Sequence, residues 1–257
     1  MIAFVRDVPD SFANALCAEA PEIAIDVAAA RRQHAAYRAA LGVATIVVPA
    51  DDALPDCCFI EDTAVVAAGA AVITRPGAPS RRPETAAVAR ALAQHVEIHA
   101  MEAPATLDGG DCMRVGSTIF VGRSARTNAA GIARLAEVFG PRGVHVVPVD
   151  LPADVLHLKC VCAPLGDDRI TLVEGFPALP GVSIVRVPAA ESYAANVLAI
   201  EDRVLVSSGF PRTRDALEAA GLRVATLETT EFRKADGALT CLSILVDTYL
   251  GAPASGS

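Results

Sequence analysis

Short apolar runs alternate along this chain with longer segments in which apolar residues recur at helical spacing. The clearest example is a pair of strands joined by a tight turn at Gly116 and Ser117, followed by a helix and a third strand. Its four segments are predicted at residues 111–115, 118–122, 128–139 and 144–149. Thr127 is the predicted N-cap of the helix, and Gly140 is predicted to end it. This order predicts a ββαβ unit.

The same order repeats along the chain, with units that begin near residues 63, 111, 158, 196 and 238. The interval of roughly 40–48 residues is loose, but a recurring interval of this length is typical of repeat architectures. The first unit has predicted segments at residues 63–67, 71–75, 83–94 and 96–101. The third has strands at 158–163, 169–174 and 182–187 with a shortened helix at 176–179, and the fourth has segments at 196–200, 203–207, 213–220 and 223–227.

The fifth unit is divided between the two ends of the chain. Its predicted segments are residues 238–247, 2–6, 26–41 and 44–49. Placing the first and last strands in one unit closes a ring and removes the open edges of a linear array. The pattern therefore predicts an α/β fold, a five-unit α/β-propeller with pseudo-fivefold ββαβ repeats, as a single domain over residues 1–250 with a disordered tail at 251–257. A doubly wound sheet also fits the alternation, although the GxGxxG turn of dinucleotide-binding sheets is absent.

Composition argues against membrane and nucleic-acid partners. Apolar residues make up 53% of the 257 residues, and the formal net charge is −8. The longest near-unbroken apolar run, residues 64–73, is about half of the roughly 20 residues that a membrane-spanning helix needs. Arg6 and Asp7 interrupt the N-terminal stretch where a signal peptide would be apolar. No block of basic residues is present to bind nucleic-acid phosphates.

The cysteines indicate a reducing compartment. Their number, seven, is odd, and the sequence has neither a CxxC pair nor a CxxC…HxxxH set. The spacing therefore predicts neither a disulfide framework nor a zinc site. With five scattered histidines and no ligand cluster, we expect no metal and no cofactor. Free thiols without a signal peptide predict a cytoplasmic protein.

Several polar side chains stand at the mouths of the predicted units. Glu61 and Asp62 precede an apolar strand, Asp108 lies in the segment LDGGD, His157 opens the third unit, and Cys241 lies in the last predicted strand. Because a ring places the unit mouths around one axis, we expect these side chains to converge. Convergent carboxylates bind a cation. A Cys beside a His that an acid orients is an activated nucleophile.

Two arginines extend this candidate site. Arg81 and Arg126 stand near predicted helix starts, where a positive charge opposes the helix dipole, and this favours a binding role for them. A guanidinium pairs well with a carboxylate, so the predicted ligand has a cationic end and a carboxylate end, as an amino acid does. Structural alternatives stay open for residues taken singly: Cys241 as a small core residue, and Asp108 and Asp111 as turn formers.

Six stretches carry a family resemblance. They are LPDCCFIEDTAVV (54–66), ITRPGAPSRR (73–82), ATLDGGD (105–111), FVGRSARTN (120–128), LHLK (156–159) and ADGALTCLS (235–243). In these stretches the sequence resembles the dimethylarginine dimethylaminohydrolases of the pentein, or guanidino-group-modifying, superfamily. The matches follow the family order over nearly the whole chain, and ITRPGAPSRR together with LDGGD is a specific signal. The family fold is a closed five-unit propeller, which is the fold that the repeats predict.

The resemblance implies a cysteine-dependent hydrolase. Cys241 would be the nucleophile, His157 the general acid and base, and Asp108 the acid that orients His157. The reaction would convert asymmetric dimethylarginine and monomethylarginine to citrulline and the corresponding amine, through a covalent thiouronium intermediate. Arginine deiminase and amidinotransferase share the fold and the type of nucleophile, and both stay open as alternatives. A non-catalytic propeller that binds another macromolecule is an alternative from a different class.

The resemblance also implies nine substrate-binding residues. These are Asp62, Glu61 and Phe59 for the guanidinium; Arg81 and Arg126 for the α-carboxylate; Asp56 and the backbone carbonyls of Val8 and Ala235 for the α-amino group; and Asp236 beside them. Leu242 follows Cys241 where mammalian members carry a second cysteine. The implied partner is a small-molecule substrate, and the oligomeric state stays open, a homodimer included.

Overall fold

The strands of the chain form five separate three-stranded sheets in the computed structural model, which describes residues 1–247. The strands are β1 (Ile2–Arg6), β2 (Ala44–Val48), β3 (Ala64–Ala67), β4 (Ala70–Ile73), β5 (Glu97–Ala100), β6 (Cys112–Val115), β7 (Thr118–Arg123), β8 (His145–Asp150), β9 (Cys162–Gly166), β10 (Arg169–Val173), β11 (Ser183–Val187), β12 (Leu198–Ile200), β13 (Arg203–Ser207), β14 (Val224–Leu227) and β15 (Ile244–Val246). The predicted tail at 251–257 lies outside the described residues.

Each sheet has the same topology. The middle strand pairs antiparallel with the first strand of its unit and parallel with the third. Four sheets follow the chain order, and the fifth joins β15 to β1 and β2, with Ile2 opposite both Val246 and Ala44. First strands of neighbouring units contact one another, β15 with β3, β6 with β9 and β9 with β12. The fold is the predicted five-unit α/β-propeller with pseudo-fivefold ββαβ repeats.

Helices connect the second strand to the third in four of the five units. They are α1 (Val27–Leu41), α2 (Thr85–Leu92), α3 (Ala129–Phe139) and α4 (Pro211–Ala219), and a short helix, α5 (Thr230–Arg233), follows β14. Tyr37 and Leu41 of α1 are buried in the same apolar cluster as Ala3 and Val5 of β1, so the helix covers its sheet. Among the described residues, the helices are all too short or too polar to cross a membrane.

The start of α3 differs from the prediction. Its N-cap is Asn128 instead of Thr127, because Asn128 Oδ1 accepts a hydrogen bond from the Gly131 amide at 2.9 Å. Thr127 Oγ1 instead accepts a hydrogen bond from the Asp108 amide at 3.2 Å. Thr127 therefore supports a candidate site residue, and Asn128, which caps helices at least as well, takes the helix end.

The α-helix ends as predicted, since α3 stops at Phe139 and Gly140 is its C-cap. A short 3₁₀ turn follows at Gly140–Arg142, and the left-handed residue after this turn is Gly143, with φ 77°. Proline accounts for a further departure. The third unit has no helix at 176–179. Its connection contains Pro177 and Pro180, which lack the amide proton that a helix needs. The third unit therefore crosses from β10 to β11 through turns alone.

A 3₁₀ turn precedes the first strand of every unit. These turns are Ile60–Thr63, Gly109–Asp111, Leu158–Cys160, Ala189–Ala195 and Thr240–Leu242. The strands predicted at 158–163 and 238–247 are therefore wrong in their first residues, and Cys241 does not lie in a strand. The amides of Cys160 and Cys241 donate to carbonyls three residues earlier, at His157 and Ala238, instead of to a neighbouring strand. The turns bring the polar residues ahead of the strands to the axis.

Candidate active site

A cavity of about 170 Å³ opens beside these 3₁₀ turns. Most of the predicted site residues line it: Asp56, Phe59, Asp62, Arg81, Asp108, Arg126, His157, Ala235, Asp236 and Cys241. Val8 and Glu61 do not line it. The remaining walls come from residues that sequence reasoning missed, which are Leu16, Cys17, Ala18, Leu156 and Gly237.

His157 and Asp108 form a buried hydrogen-bonded pair. His157 Nε2 lies 3.1 Å from Asp108 Oδ2, and Asp108 Oδ1 accepts a hydrogen bond from the Gly77 amide at 2.9 Å. Each residue stands immediately before a 3₁₀ turn, in extended backbone that points its side chain into the cavity. The carboxylate therefore fixes the imidazole ring, which is the arrangement that an acid–base histidine needs.

Gly110 makes room for this pair. A Cβ at position 110 would lie 2.7 Å from His157 Nδ1 and 3.0 Å from Asp62 Oδ1, so a side chain here would collide with both. The Gly110 amide also donates a hydrogen bond to Asp62 Oδ1 at 2.8 Å. The segment LDGGD thus supplies the acid, the space for the ring and a donor for the second carboxylate.

Asp62 is held as a carboxylate in the cavity. Besides the Gly110 amide it accepts a hydrogen bond from Arg81 Nη1 at 2.6 Å. Burial alone would raise the pKa of Asp62, but the charges of Arg81 and His157 outweigh burial and lower the pKa to about 2. One ligand atom each from Asp62, Asp108 and His157 lie within 4.8 Å of one another, a spacing that a cation could use. A guanidinium group is such a cation.

His157 is protonated in the empty cavity near neutral pH. Burial would lower its pKa, but the charge of Asp62 and the hydrogen bond with Asp108 outweigh burial and raise the pKa from 6.5 to about 9. The imidazolium is therefore available as a proton donor at neutral pH. It can become a base only after it has given that proton away.

Cys241 carries a protonated thiol in the same state. Burial raises the pKa of Cys241 well above that of a free thiol, and the charges of Glu61 and Asp62 raise it further. Its amide donates to the Ala238 carbonyl at 3.2 Å, which fixes the turn that carries the sulfur. Nucleophilic attack by this sulfur requires that a positive charge enter the cavity and favour the thiolate.

The two arginines of the cavity differ in their partners. Arg81 is buried, and its guanidinium donates to the carboxylates of Asp62 and Glu84 and to the carbonyls of Phe59 and Asp56. Arg126 is half-buried. Within residues 1–247, no hydrogen bond or ion pair of the Arg126 guanidinium is formed. Arg126 is therefore free to bind an anionic group, whereas Arg81 already holds Asp62 in place.

Glu61 faces away from the cavity despite its position next to Asp62. Its Oε1 accepts a hydrogen bond from Lys159 Nζ at 2.5 Å, and its Oε2 accepts one from Thr240 Oγ1 at 2.7 Å. Burial raises the pKa of Glu61, and the Lys159 charge opposes this. Both oxygens have protein partners, so this geometry does not support contact between Glu61 and a ligand in the cavity. Glu61 and Asp62 lie in a 3₁₀ turn that sends their side chains in different directions, and the partners of Glu61 are far away in sequence.

Val8 is buried away from the cavity, and its carbonyl accepts hydrogen bonds from Arg31. The N-terminal wall is instead formed by Leu16, Cys17 and Ala18. Asp56 and Asp236 hold this segment. Asp56 Oδ1 accepts a hydrogen bond from the Leu16 amide at 2.9 Å, and Asp236 Oδ2 accepts one from the Ala18 amide at 2.6 Å. Residues 15–21 have no secondary-structure pattern, so only these two carboxylates could have indicated the segment.

Known proteins with similar sequences identify the family of this chain. The family model described as arginine deiminase matches residues 30–187. The N(G),N(G)-dimethylarginine dimethylaminohydrolase of Pseudomonas aeruginosa is 37% identical over 227 residues, 85% of this chain and 89% of that protein. The protein of the same name from Streptomyces coelicolor is 38% identical over 248 residues, 94% of this chain and 95% of that protein.

Structural similarity extends over the whole propeller. A cysteine-to-serine variant of the Pseudomonas aeruginosa dimethylarginine dimethylaminohydrolase, complexed with citrulline, superposes with a TM-score of 0.90 at 34% sequence identity. The match covers 95% of this chain and 98% of that chain. The sequence and structural matches, together with the cavity geometry, lead to one conclusion: the chain belongs to the dimethylarginine dimethylaminohydrolase family of the pentein superfamily.

Proposed function

We propose that this chain hydrolyses asymmetric dimethylarginine and monomethylarginine to citrulline, with release of dimethylamine or methylamine. The observation that carries the proposal is the convergence of Cys241, the His157–Asp108 pair and the Asp62 carboxylate on one cavity. A thiol, a proton donor and a cation-binding carboxylate are the groups that cleavage of a guanidinium C–N bond needs. The citrulline complex of the Pseudomonas aeruginosa relative supports citrulline as the product.

The amino-acid end of the substrate fits the mouth of the cavity. The Arg126 guanidinium forms no hydrogen bond or ion pair within residues 1–247 and can pair with the α-carboxylate. Asp56 uses Oδ1 for the Leu16 amide, which leaves Oδ2 for the α-ammonium group beside the Ala235 carbonyl. Arg81 supports the guanidinium end through Asp62, and Phe59 lines the wall next to it.

Catalysis proceeds in two halves. The Cys241 thiolate attacks the guanidinium carbon, and the resulting tetrahedral adduct collapses as the His157 imidazolium protonates the departing dimethylamine. This leaves a thiouronium cation covalently bound to the sulfur and a neutral imidazole. His157 then takes a proton from water, and the hydroxide adds to the same carbon. The carbon–sulfur bond breaks as the hydroxyl proton of this adduct passes through solvent to the released amine, which gives citrulline, the thiolate and an ammonium ion. The imidazolium is restored, so the proton balance of the cycle closes.

Substrate binding ionises the nucleophile in this account. The thiol is protonated in the empty cavity because burial, Glu61 and Asp62 all disfavour its anion. A bound guanidinium neutralises the Asp62 charge and adds a positive charge beside the sulfur. His157 already carries its proton, so the thiol proton leaves to solvent on binding. A pH-indicator measurement with an unreactive guanidinium analogue tests this step: proton release is expected, and its absence contradicts substrate-assisted ionisation.

A panel of four substrates tests the proposed function. Asymmetric dimethylarginine and monomethylarginine offer one unmethylated terminal nitrogen to Asp62 and place every methyl on the departing nitrogen. Symmetric dimethylarginine carries a methyl on both terminal nitrogens, so one methyl displaces a hydrogen bond. One or two methyl contacts contribute only about 1–3 kcal/mol, so discrimination against plain arginine is expected to be finite.

The measurement is kcat/KM for each substrate, with products identified by mass spectrometry. The first two substrates are expected to form citrulline well, and arginine and symmetric dimethylarginine poorly. Arginine turned over as well as asymmetric dimethylarginine would move the assignment to a deiminase. No citrulline from any of the four would contradict the proposed function.

The proposal also covers the cellular location, domain organisation and oligomeric state of the enzyme. All seven cysteines are free thiols, which supports a cytoplasmic location. A single catalytic domain over residues 1–250 accords with the ring that β15 and β1 close. A homodimer stays a prediction, and light scattering of the purified protein tests it.

A further inference from the structure

A ring of hydrogen bonds crosses the propeller axis directly behind the cavity. Its members, one from each unit, are Glu61, Gly109, Lys159, Asn196 and Thr240. Lys159 Nζ donates to Glu61 Oε1 at 2.5 Å and to the Gly109 carbonyl at 3.3 Å. Thr240 Oγ1 donates to Glu61 Oε2 at 2.7 Å. We call these five residues the axial belt.

Asn196 closes the axial belt. Its Nδ2 donates to the Lys159 carbonyl at 3.0 Å and to Thr240 Oγ1 at 3.1 Å, while its Oδ1 accepts a hydrogen bond from the Thr240 amide at 2.9 Å. Asn196 and Thr240 are only 4% and 3% exposed. Every polar group of the Asn196 side chain thus has a protein partner in a buried place, where an unsatisfied group is unfavourable.

The axial belt adjoins the cavity residues in the chain. Adjacent residues are Glu61 and Asp62, Gly109 and Asp108, and Thr240 and Cys241, while Lys159 stands two residues after His157. Asp62, Asp108, His157 and Cys241 come from four different units and share no continuous backbone. The hydrogen bonds of the axial belt join the turns that carry them, so a shift of one belt member moves the backbone of the adjoining cavity residue.

The axial belt also lies outside the cavity that holds the substrate. None of its five members lines the cavity of about 170 Å³, whereas Glu61, Gly109, Lys159 and Thr240 line a second, larger cavity of about 880 Å³. Thr240 and Asn196, which carry no charge, therefore act on the reaction through the residues they hold. In the proposed mechanism the sulfur, the guanidinium carbon and the His157 proton must align, and a misplacement of about 1 Å lowers the rate by about 10²-fold.

We infer that Thr240 and Asn196 are positioning residues for catalysis, which fix the turn of the nucleophile Cys241 relative to the turn of His157. The inference rests on the proposed hydrolysis and assigns two residues that do not contact the substrate. Thr240 ties the Cys241 turn to Glu61 through its hydroxyl, and Asn196 ties it to the Lys159 carbonyl through its amide.

Substitutions at Thr240 and Asn196 can distinguish a positioning role, which affects kcat, from a binding role, which affects KM. Thr240→Val keeps the volume and branching of the side chain but removes the hydroxyl, and Asn196→Ala removes the amide. Each is expected to lower kcat by roughly 10- to 100-fold with KM changed less than about threefold, because the substrate contacts stay in place. Thr240→Ser keeps the hydroxyl and is expected to restore most of kcat. The double variant is expected to lose less than the product of the two single losses, because both act through one set of hydrogen bonds.

Thr213→Val is the matched control. Thr213 is fully buried in α4, and its hydroxyl donates to the Glu191 carboxylate at 2.7 Å, as the Thr240 hydroxyl does to Glu61. The control removes the same kind of hydrogen bond between two residues that neither line the cavity nor belong to the axial belt. It is expected to lower the thermal unfolding temperature and leave kcat within about twofold of wild type.

Hydrogen exchange provides a readout that needs no turnover. The Thr240 amide donates to Asn196 Oδ1, so in Asn196→Ala its exchange is expected to accelerate by about tenfold or more, with no change in Thr213→Val.

Absence of citrulline from wild type would contradict the proposed function, while exchange of the Thr240 amide would still report on the axial belt. Three results overturn the inference: kcat of folded Thr240→Val within twofold of wild type, a kcat loss in Thr213→Val equal to that in Thr240→Val, or a loss confined to KM. If Asn196→Ala does not fold, the Thr240→Val and Thr240→Ser pair decides.

Discussion

The axial belt separates two cavities of unequal size, about 880 Å³ and about 170 Å³, and the smaller one holds the candidate chemistry. The larger cavity is rich in charge, but most of its charged side chains pair with one another, as Arg114 does with Asp247 and Arg223 with Asp202. The smaller cavity holds a thiol, an acid–histidine pair and Arg126, whose guanidinium forms no hydrogen bond or ion pair within residues 1–247.

Polar side chains without protein partners and side chains with shifted pKa values therefore indicate the candidate site better than cavity volume does. Size alone would select the larger cavity as the binding site. Neighbouring carboxylates sharpen the contrast. Asp62 faces the smaller cavity with its pKa lowered to about 2, whereas Glu61 faces the axial belt with its pKa raised by burial. If chemistry is confined to one side of the belt, matched substitutions on the two sides are expected to differ in their effect on turnover.

Cysteine substitutions on the two sides are expected to differ most. Cys241→Ala removes the sulfur that forms the covalent intermediate and is expected to lower kcat by about 10⁴-fold or more. Cys112→Ala is the matched control, because Cys112 is buried and lines the larger cavity. It is expected to lower stability slightly and leave kcat within about twofold. The measurement is citrulline production under saturating asymmetric dimethylarginine, and substantial turnover by Cys241→Ala would contradict the assignment.

The next largest effects are expected at the acid–histidine pair. His157→Ala removes the proton donor for the departing amine and is expected to lower kcat by about 10²- to 10⁴-fold. Asp108→Asn keeps a hydrogen-bonding group beside the ring and is expected to lose less, because the orienting group matters less than the base it orients. His145→Ala, at an exposed position of β8, is the control. Equal kcat values for His157→Ala and wild type would rule out the acid–base role.

The two arginines are expected to divide binding from catalysis. Arg126→Ala removes one charge-assisted contact to the α-carboxylate, worth about 1.5–3 kcal/mol, and is expected to raise KM by roughly 10- to 100-fold with little change in kcat. Arg81→Ala also releases Asp62 and leaves Glu84 unpaired, so it is expected to raise KM, lower kcat and lower stability together. Steady-state kinetics with thermal unfolding measures all three. Normal binding of arginine analogues by Arg126→Ala would contradict its role.

The pKa of His157 predicts a pH dependence of stability. Its folded-state value of about 9 lies above the ordinary 6.5, so folding favours the protonated form. The stabilisation is complete below about pH 6.5 and is lost as pH rises through about 9. The difference in free energy of unfolding between wild type and His157→Ala is therefore expected to fall over this interval. Denaturant unfolding at several pH values measures it, and a difference that rises with pH would contradict the assigned charges.

The smallest effect is expected on the far side of the belt. Arg223 forms an exposed ion pair with Asp202 at the rim of the larger cavity. Exposed ion pairs contribute about 0–1 kcal/mol, so Arg223→Ala is expected to leave kcat/KM and stability nearly unchanged. A loss of activity comparable to that of Arg126→Ala would show that the two cavities are functionally coupled.

The order of strands and helices was predictable because it follows from the periodicity of apolar residues and the spacing of the repeated units. Apolar alternation identified all five units, and the pairing of β15 with β1 followed from the need to close the ring. The helix predicted at 176–179 was wrong because the shortened unit left the pattern ambiguous, and Pro177 and Pro180 decided against a helix. Both Thr127 and Asn128 can act as the N-cap of α3, and the sequence alone does not show which one does. Thr127 instead accepts a hydrogen bond from the Asp108 amide, and Asn128 accepts one from the Gly131 amide.

Most of the candidate site was predictable through the family resemblance, and its exceptions have physical causes. Cys241 was predicted inside a strand because its neighbours are apolar, but the chain forms a 3₁₀ turn there. Glu61 was predicted on the ligand because it adjoins Asp62, and its partners Lys159 and Thr240 come from units far away in sequence. Val8 was predicted to line the cavity, but Leu16–Ala18 line it instead. The N-terminal loop has no regular pattern of apolar residues that could indicate which part of it reaches the cavity.

Acid quench of wild-type enzyme during turnover of asymmetric dimethylarginine, followed by mass spectrometry of the cysteine-containing peptides, tests the central claim most directly. The account predicts citrulline in solution and a thiouronium adduct on the peptide that contains Cys241. It predicts no adduct on the peptide that contains Cys112. An adduct on any other cysteine, or citrulline formed by Cys241→Ala at the wild-type rate, would contradict it.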